Sequence, residues 1–65
     1  MEYNFRLFEH IKRHYGTQEN YAQAVGVSRP LVSMVLNGRY NLTDNEKALW
    51  AEKAGASVEL LWPDN

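Results

Sequence analysis

GVSRPLVSMVLNGR, residues 26–39, places two glycines, a proline and two arginines around an apolar run. Gly26 can take the left-handed backbone that stops one helix, and Ser28 is a good cap for the next. Pro30 then falls in the first turn of that helix, where its missing N–H breaks no intrahelical bond and its ring has no preceding turn to strike. Asn37-Gly38 closes the segment. At about 100° per residue, Ser28, Val32, Val35 and Leu36 share one side of this helix. Pro30, Ser33, Met34 and Asn37 share the other, and Arg29 flanks them with a long reach.

Outward from this stretch, the chain reads as a series of short capped helices. From about Asn4 to Tyr15, the residues Tyr3, Leu7, Ile11 and Tyr15 repeat every four positions with Phe8 beside them, which makes one apolar helical stripe ended by Gly16. Thr17 is placed to cap a second helix that runs to Ala24 or Val25 and stops at Gly26. After the loop RYNL comes TDNE, residues 43–46, a capping box in which Thr43 and Glu46 each satisfy the other's backbone N–H. The fourth helix continues through Ala48, Leu49 and Ala54 to Gly55. Ser57 caps a last short helix, Val58 to Trp62, which Pro63 ends. No β-type alternation, repeat or low-complexity tract interrupts the series. The expected fold is all-α, a bundle of five short helices in a single domain over residues 1–65.

Composition sets bounds on function. A chain of 65 residues hides only about 60% of the surface its open form exposes, and without cysteine it has neither disulfides nor a thiolate metal site to support a thin core. Hydrophobic residues are 45% of the chain and charged ones 23%, as in a compact folded domain. No apolar run approaches the roughly 20 residues of a membrane span, and MEYNFRLFEH lacks the pattern of a signal peptide, so a cytoplasmic protein is expected. His10 and His14 stand one helical turn apart, but no third ligand follows at metal-site spacing, so no metal is expected. There is no glycine-rich phosphate loop, cysteine nucleophile or nucleophile-elbow serine, and the chain is too short for a closed pocket; neither an enzyme nor a small-molecule or cofactor site is expected.

Two short helices joined at a glycine form a helix-turn-helix, whose second helix is offered to the DNA major groove. Ala22 is small where the two helices approach, Gly26 supplies positive φ at the turn, and Val27, Val32 and Val35 face inward to fix the crossing angle. The stretch QENYAQAVGVSRPLVSMVLNG, residues 18–38, carries these features throughout: Gln18 at the start, Ala22, Gly26, Val32 and Val35 at the packing sites, then Asn37 and Gly38. It resembles the Cro and phage-repressor (lambda-repressor-like) family over about residues 4–62. The resemblance implies that Arg29, Pro30, Ser33 and Met34 read bases. It also implies that Gln18, Asn37, Arg39 and Tyr40 contact the DNA backbone.

Physical chemistry supports the same assignment from the residues themselves. An arginine pairs bidentately with guanine O6 and N7, a contact worth about 1–3 kcal/mol of discrimination, while Pro30 and Met34 suit thymine methyls. Helix amino ends favour phosphate, which makes Thr17, Gln18 and Ser28 backbone anchors. Residues 1–43 carry five basic against three acidic side chains, and residues 44–65 two basic against five acidic, giving the overall charge of −1. A mildly basic front and an acidic rear imply weak non-specific affinity, so two copies are expected to read a near-palindromic operator with half-sites about 34 Å apart. Leu60, Leu61 and Trp62 exceed what so short a helix can bury, and are the expected homodimer contact.

The expected function is a sequence-specific transcriptional regulator, Cro-like or autoregulatory, of phage or prophage type. The alternative is an antitoxin-like interaction module whose acidic carboxyl-terminal surface, with Glu52 and Glu59, neutralises a basic partner protein.

Overall fold

Each helix begins at a residue that can satisfy amides left unpaired in its first turn. The computed structural model describes residues 3–63 and contains α1 Phe5–His14, α2 Gln18–Val25, α3 Arg29–Leu36, α4 Asp44–Ala54 and α5 Val58–Leu61. The fold is all-α, with no strand among the described residues. Glu2 and Asp64, which enter the charge count above, lie outside the described residues.

At four of the helices the N-cap side chain accepts from the backbone three residues on. Asn4 accepts from Leu7 N at 3.0 Å, Thr17 from Asn20 N, Thr43 from Glu46 N and Ser57 from Leu60 N, each of the last three at 3.2 Å. The Thr43 capping box is complete, since Thr43 N also donates to Glu46 Oε1 at 2.8 Å.

Ser28 departs from this pattern. It occupies the N-cap of α3 with extended backbone but its side chain makes no capping bond. The reason lies two and three residues on. Pro30 has no N–H to give, and Leu31 N already donates to the Ser28 carbonyl at 3.2 Å, so neither of the two amides that an N-cap hydroxyl reaches is left for it.

The other ends of the helices are closed partly from afar. Gly26 takes φ 89° after α2, and the amides of Gly26 and Val27 both return to the Ala22 carbonyl, at 2.8 and 2.9 Å. At α4 all four terminal carbonyls are satisfied. Ala51 accepts from Ala56 N at 3.0 Å and Glu52 from Gly55 N at 3.1 Å. Lys53 accepts from the Tyr15 hydroxyl at 2.5 Å, and Ala54 from His10 Nδ1 at 3.1 Å. A carbonyl cannot donate, so His10 Nδ1 is the donor in this bond. Asn4 plays a related part for two helices at once, because its backbone N–H donates to the Leu36 carbonyl at 2.8 Å and its Nδ2 to the Leu61 carbonyl at 2.9 Å.

Between these ends the apolar faces meet in one core. Leu7 and Ile11 from α1, Tyr21 and Ala22 from α2, Val32, Val35 and Leu36 from α3, Leu42 from the following loop, Trp50, Ala51 and Ala54 from α4, and Leu61 from α5 are all buried. Tyr21 lies edge-on to Trp50 at 5.8 Å and to Tyr15 at 5.2 Å, geometries that place a positive ring edge on a negative face. Tyr3, Phe8 and Tyr15 complete the α1 stripe as half-buried residues, and Val27 is half-buried beside α3. α5 ends at Leu61, one residue short of the expected Trp62.

Candidate nucleic-acid interface

α3 divides its residues as its sequence demands. Val32, Val35 and Leu36 are buried against the rest of the domain, and this anchors the helix by its apolar side. The opposite side is open: Arg29, Pro30 and Asn37 are exposed, Met34 is 41% exposed, and Ser33 is half-buried between them. An exposed methionine among an arginine, a proline and two small polar residues is an apolar spot available for contact, held on a rigid element. α2 packs against α3 more extensively than any other pair of helices, and Gly26 to Ser28 form the turn between them.

The loop after α3 is tied to the same helix. Gly38, at φ 73°, returns its amide to the Val35 carbonyl at 3.1 Å, and Arg39 N donates to the Met34 carbonyl at 2.9 Å. The Arg39 side chain therefore starts from a fixed point beside Met34. Arg39 and Tyr40 are both exposed. Neither Arg29 nor Arg39 has an ion-pair partner among the described residues.

At the start of α2, Thr17 is exposed and Gln18 half-buried. Thr17 Oγ1 accepts the Asn20 amide, which leaves its own proton for a second acceptor. Ser28 is exposed, with its hydroxyl unused by the helix it precedes. Asn37 is different, because its Nδ2 donates to the Ser33 carbonyl at 2.8 Å and approaches Ser33 Oγ at 3.4 Å. The donor end of its carboxamide is thus engaged inside α3. The four-residue spacing of a serine and an asparagine on one helix face is the signal in the sequence for this pairing.

The expected carboxyl-terminal contact needs a correction. Leu61 is 2% exposed and belongs to the core of the single chain, whereas Leu60 is 42% exposed and Trp62 half-buried. A single turn of helix has one inward direction, and α5 points Leu61 along it. Leu60 faces out, with its carbonyl held by Arg6 Nη1 at 3.1 Å. Trp62 lies under Lys47, whose Nζ is 5.8 Å from the ring centroid. Near Leu60, an open cleft of about 320 Å³ is lined by Arg6, Glu9, His10, Arg13 and Leu60, and it shares no residue with the α3 group.

His10 and His14 stack at 5.8 Å, and no cluster of three or more metal-ligating side chains forms among the described residues. No helix among the described residues is long and apolar enough to cross a membrane.

The features together define a small all-helical domain with a rigid, solvent-facing surface on its third helix. Residues 1–56 match the family described as "Protein of unknown function (DUF739)", and the chain belongs to that family. The matched region spans α1 to α4 and stops short of α5. Comparison with curated proteins and with solved structures gives no match.

Proposed function

We propose that this protein is a sequence-specific DNA-binding transcriptional regulator, Cro-like or autoregulatory, acting in the cytoplasm. In this reading α2, the turn at Gly26 and α3 work as a helix-turn-helix, with α3 lodged in the major groove. The observation that carries it is the two-sidedness of α3: Val32, Val35 and Leu36 fix it from behind, while Arg29, Pro30 and Met34 project into solvent with Ser33 between them. Arg29 supplies bidentate donors for guanine, and Met34 and Pro30 supply apolar contact for thymine methyls. Thr17, Ser28, Arg39 and Tyr40 hold exposed polar or cationic groups at helix ends and in the adjoining loop, where phosphate contacts set the register.

A second copy completes the reading, since one short helix makes too few contacts for useful affinity on a chain of net charge −1. Leu60 and Trp62 are the surface for that copy, related by a two-fold axis that a near-palindromic operator mirrors. The test is selection of bound sites from a random duplex pool, followed by affinity measurements on the selected site. Arg29→Lys and Ser33→Ala are expected to relax base preference at separate positions. If both leave affinity and preference untouched, α3 is not the reading element. Sedimentation of Trp62→Ala and Leu60→Ala tests the dimer, and an unchanged monomer–dimer balance in both removes this interface.

A further inference from the structure

Pro30 and Met34 stand one turn apart on the open side of α3, and both are exposed, Met34 to 41%. At that spacing their side chains are neighbours on the helix surface. Neither can donate a hydrogen bond: proline has a ring of carbons and no N–H, and the thioether of methionine is only a weak acceptor. A base edge set against this pair is therefore told apart by its apolar groups and not by its donors and acceptors. The pair is also bracketed by cations. From Asn20 to Thr43 the only charged residues are Arg29 and Arg39. Arg29 directly precedes Pro30, and the backbone N–H of Arg39 donates to the Met34 carbonyl at 2.9 Å. Both arginines are exposed. An apolar spot between two arginines, with no carboxylate in that stretch, suits a polyanion that carries an apolar group on its edge.

In the major groove that group is the methyl at C5 of a pyrimidine. Thymine has one, and cytosine gains one at the same ring position when it is methylated. We propose that Pro30 and Met34 read the C5 methyl itself, whichever pyrimidine carries it, so that methylation of a cytosine at this place in the site strengthens binding. This rests on the DNA-binding reading above. The rotatable bonds of Met34 let its thioether close over the methyl, while the fixed ring of Pro30 gives it a wall. Arg29 and Ser33 respond to the polar edge of a base, so their contribution is common to two bases that differ only in the methyl.

The experiment uses the full chain and the duplex it selects from a random pool, with synthetic bases placed at each thymine in turn. Two comparisons change the methyl and nothing else: thymine against uracil, each opposite adenine, and 5-methylcytosine against cytosine, each opposite guanine. Removing one methyl from water is worth about fourfold in affinity. At the position facing Pro30 and Met34, thymine is expected to bind about fourfold more tightly than uracil, and 5-methylcytosine about fourfold more tightly than cytosine. Met34→Ala is expected to bring both ratios toward one at that position, Pro30→Ala to reduce them, and neither to change the ratios at thymines elsewhere in the site. Both side chains are on the surface, so neither variant opens the core.

Equal affinity for thymine and uracil at every position overturns the proposal. So does a methyl that adds affinity on uracil and none on cytosine, because the pair then responds to the base and not to its methyl. Full methyl effects retained in both variants take the reading away from these residues and overturn it as well. If the pool yields no enriched sequence, the DNA-binding reading has failed and this inference falls with it. If a sequence is enriched but has no thymine at any position that Met34→Ala alters, the DNA-binding reading survives and the methyl reading is refuted.

Discussion

Replacing Tyr21 by phenylalanine removes a single oxygen from the centre of the core. The ring stays against Trp50 at 5.8 Å, but the hydroxyl that donates to the Trp50 carbonyl at 2.6 Å is lost. At neutral pH the net cost is about 0.5–1.5 kcal/mol, the usual value of an internal hydrogen bond whose partners are otherwise solvated in the unfolded chain. In a domain of this size each kcal/mol lowers the midpoint of thermal unfolding by about 4–8 °C.

The sign of the effect changes in alkali. Burial, and then the neighbouring Tyr15 phenol, push the Tyr21 pKa well above its ordinary value. A raised native pKa means that the stability held by the neutral phenol is complete below about pH 10 and is lost as pH rises further, because the unfolded chain ionises first. One pH unit above that value, the wild type has lost about 1.4 kcal/mol through this residue, and Tyr21→Phe has lost none of it. The two stability curves are therefore expected to converge or cross between about pH 10 and 11. Urea unfolding followed by tryptophan fluorescence at pH 7, 10 and 11 measures this directly, with other titrating groups common to both proteins. Parallel curves across that range would refute the argument, as would a variant as stable as wild type at pH 7.

Three further outcomes follow from particular contacts. Leu61→Ala should destabilise the chain by about 2–5 kcal/mol while Leu60→Ala changes it by less than about 0.5 kcal/mol, since Leu61 alone is core; denaturant titration of both at low protein concentration checks the contrast. Gly26→Ala should cost about 1–2 kcal/mol from its φ of 89° alone, because a Cβ there meets nothing within 4 Å, and Gly26→Asn should cost less in the same titration. Thr43→Ala should cost about 1 kcal/mol at α4, whereas Ser28→Ala, with no capping bond to lose, should leave thermal unfolding nearly unchanged.

Most of the helix boundaries could be read from single turns of sequence. A cap side chain, a terminating glycine or a first-turn proline acts on atoms within three or four residues, so Thr17, Gly26, Pro30, the Thr43–Glu46 box and Ser57 signal their roles without any knowledge of the rest of the chain. The same locality makes the two sides of α3 legible, because burial of Val32, Val35 and Leu36 follows from helical period once a core exists. It also explains the one miss at a cap: the identity of Ser28 was right for the position, but the two residues that decide whether a bond forms are Pro30 and Leu31.

What the tertiary structure alone decided concerns groups far apart in sequence. Nothing near Asn4 announces that it bridges the carbonyls of Leu36 and Leu61, and nothing near Tyr15 or His10 announces that they finish α4 at Lys53 and Ala54. Nor does LeuLeuTrp say which leucine turns inward. On one turn of helix the hydrophobic period is too short to set a direction, and the choice of Leu61 over Leu60 falls to the packing of α5 against α4 and α1. The chain writes its helices and the faces of the longer ones locally because hydrogen bonds, capping and helical period act over a few turns; it orients the single turn of α5 and closes the far ends only when folding brings distant groups together.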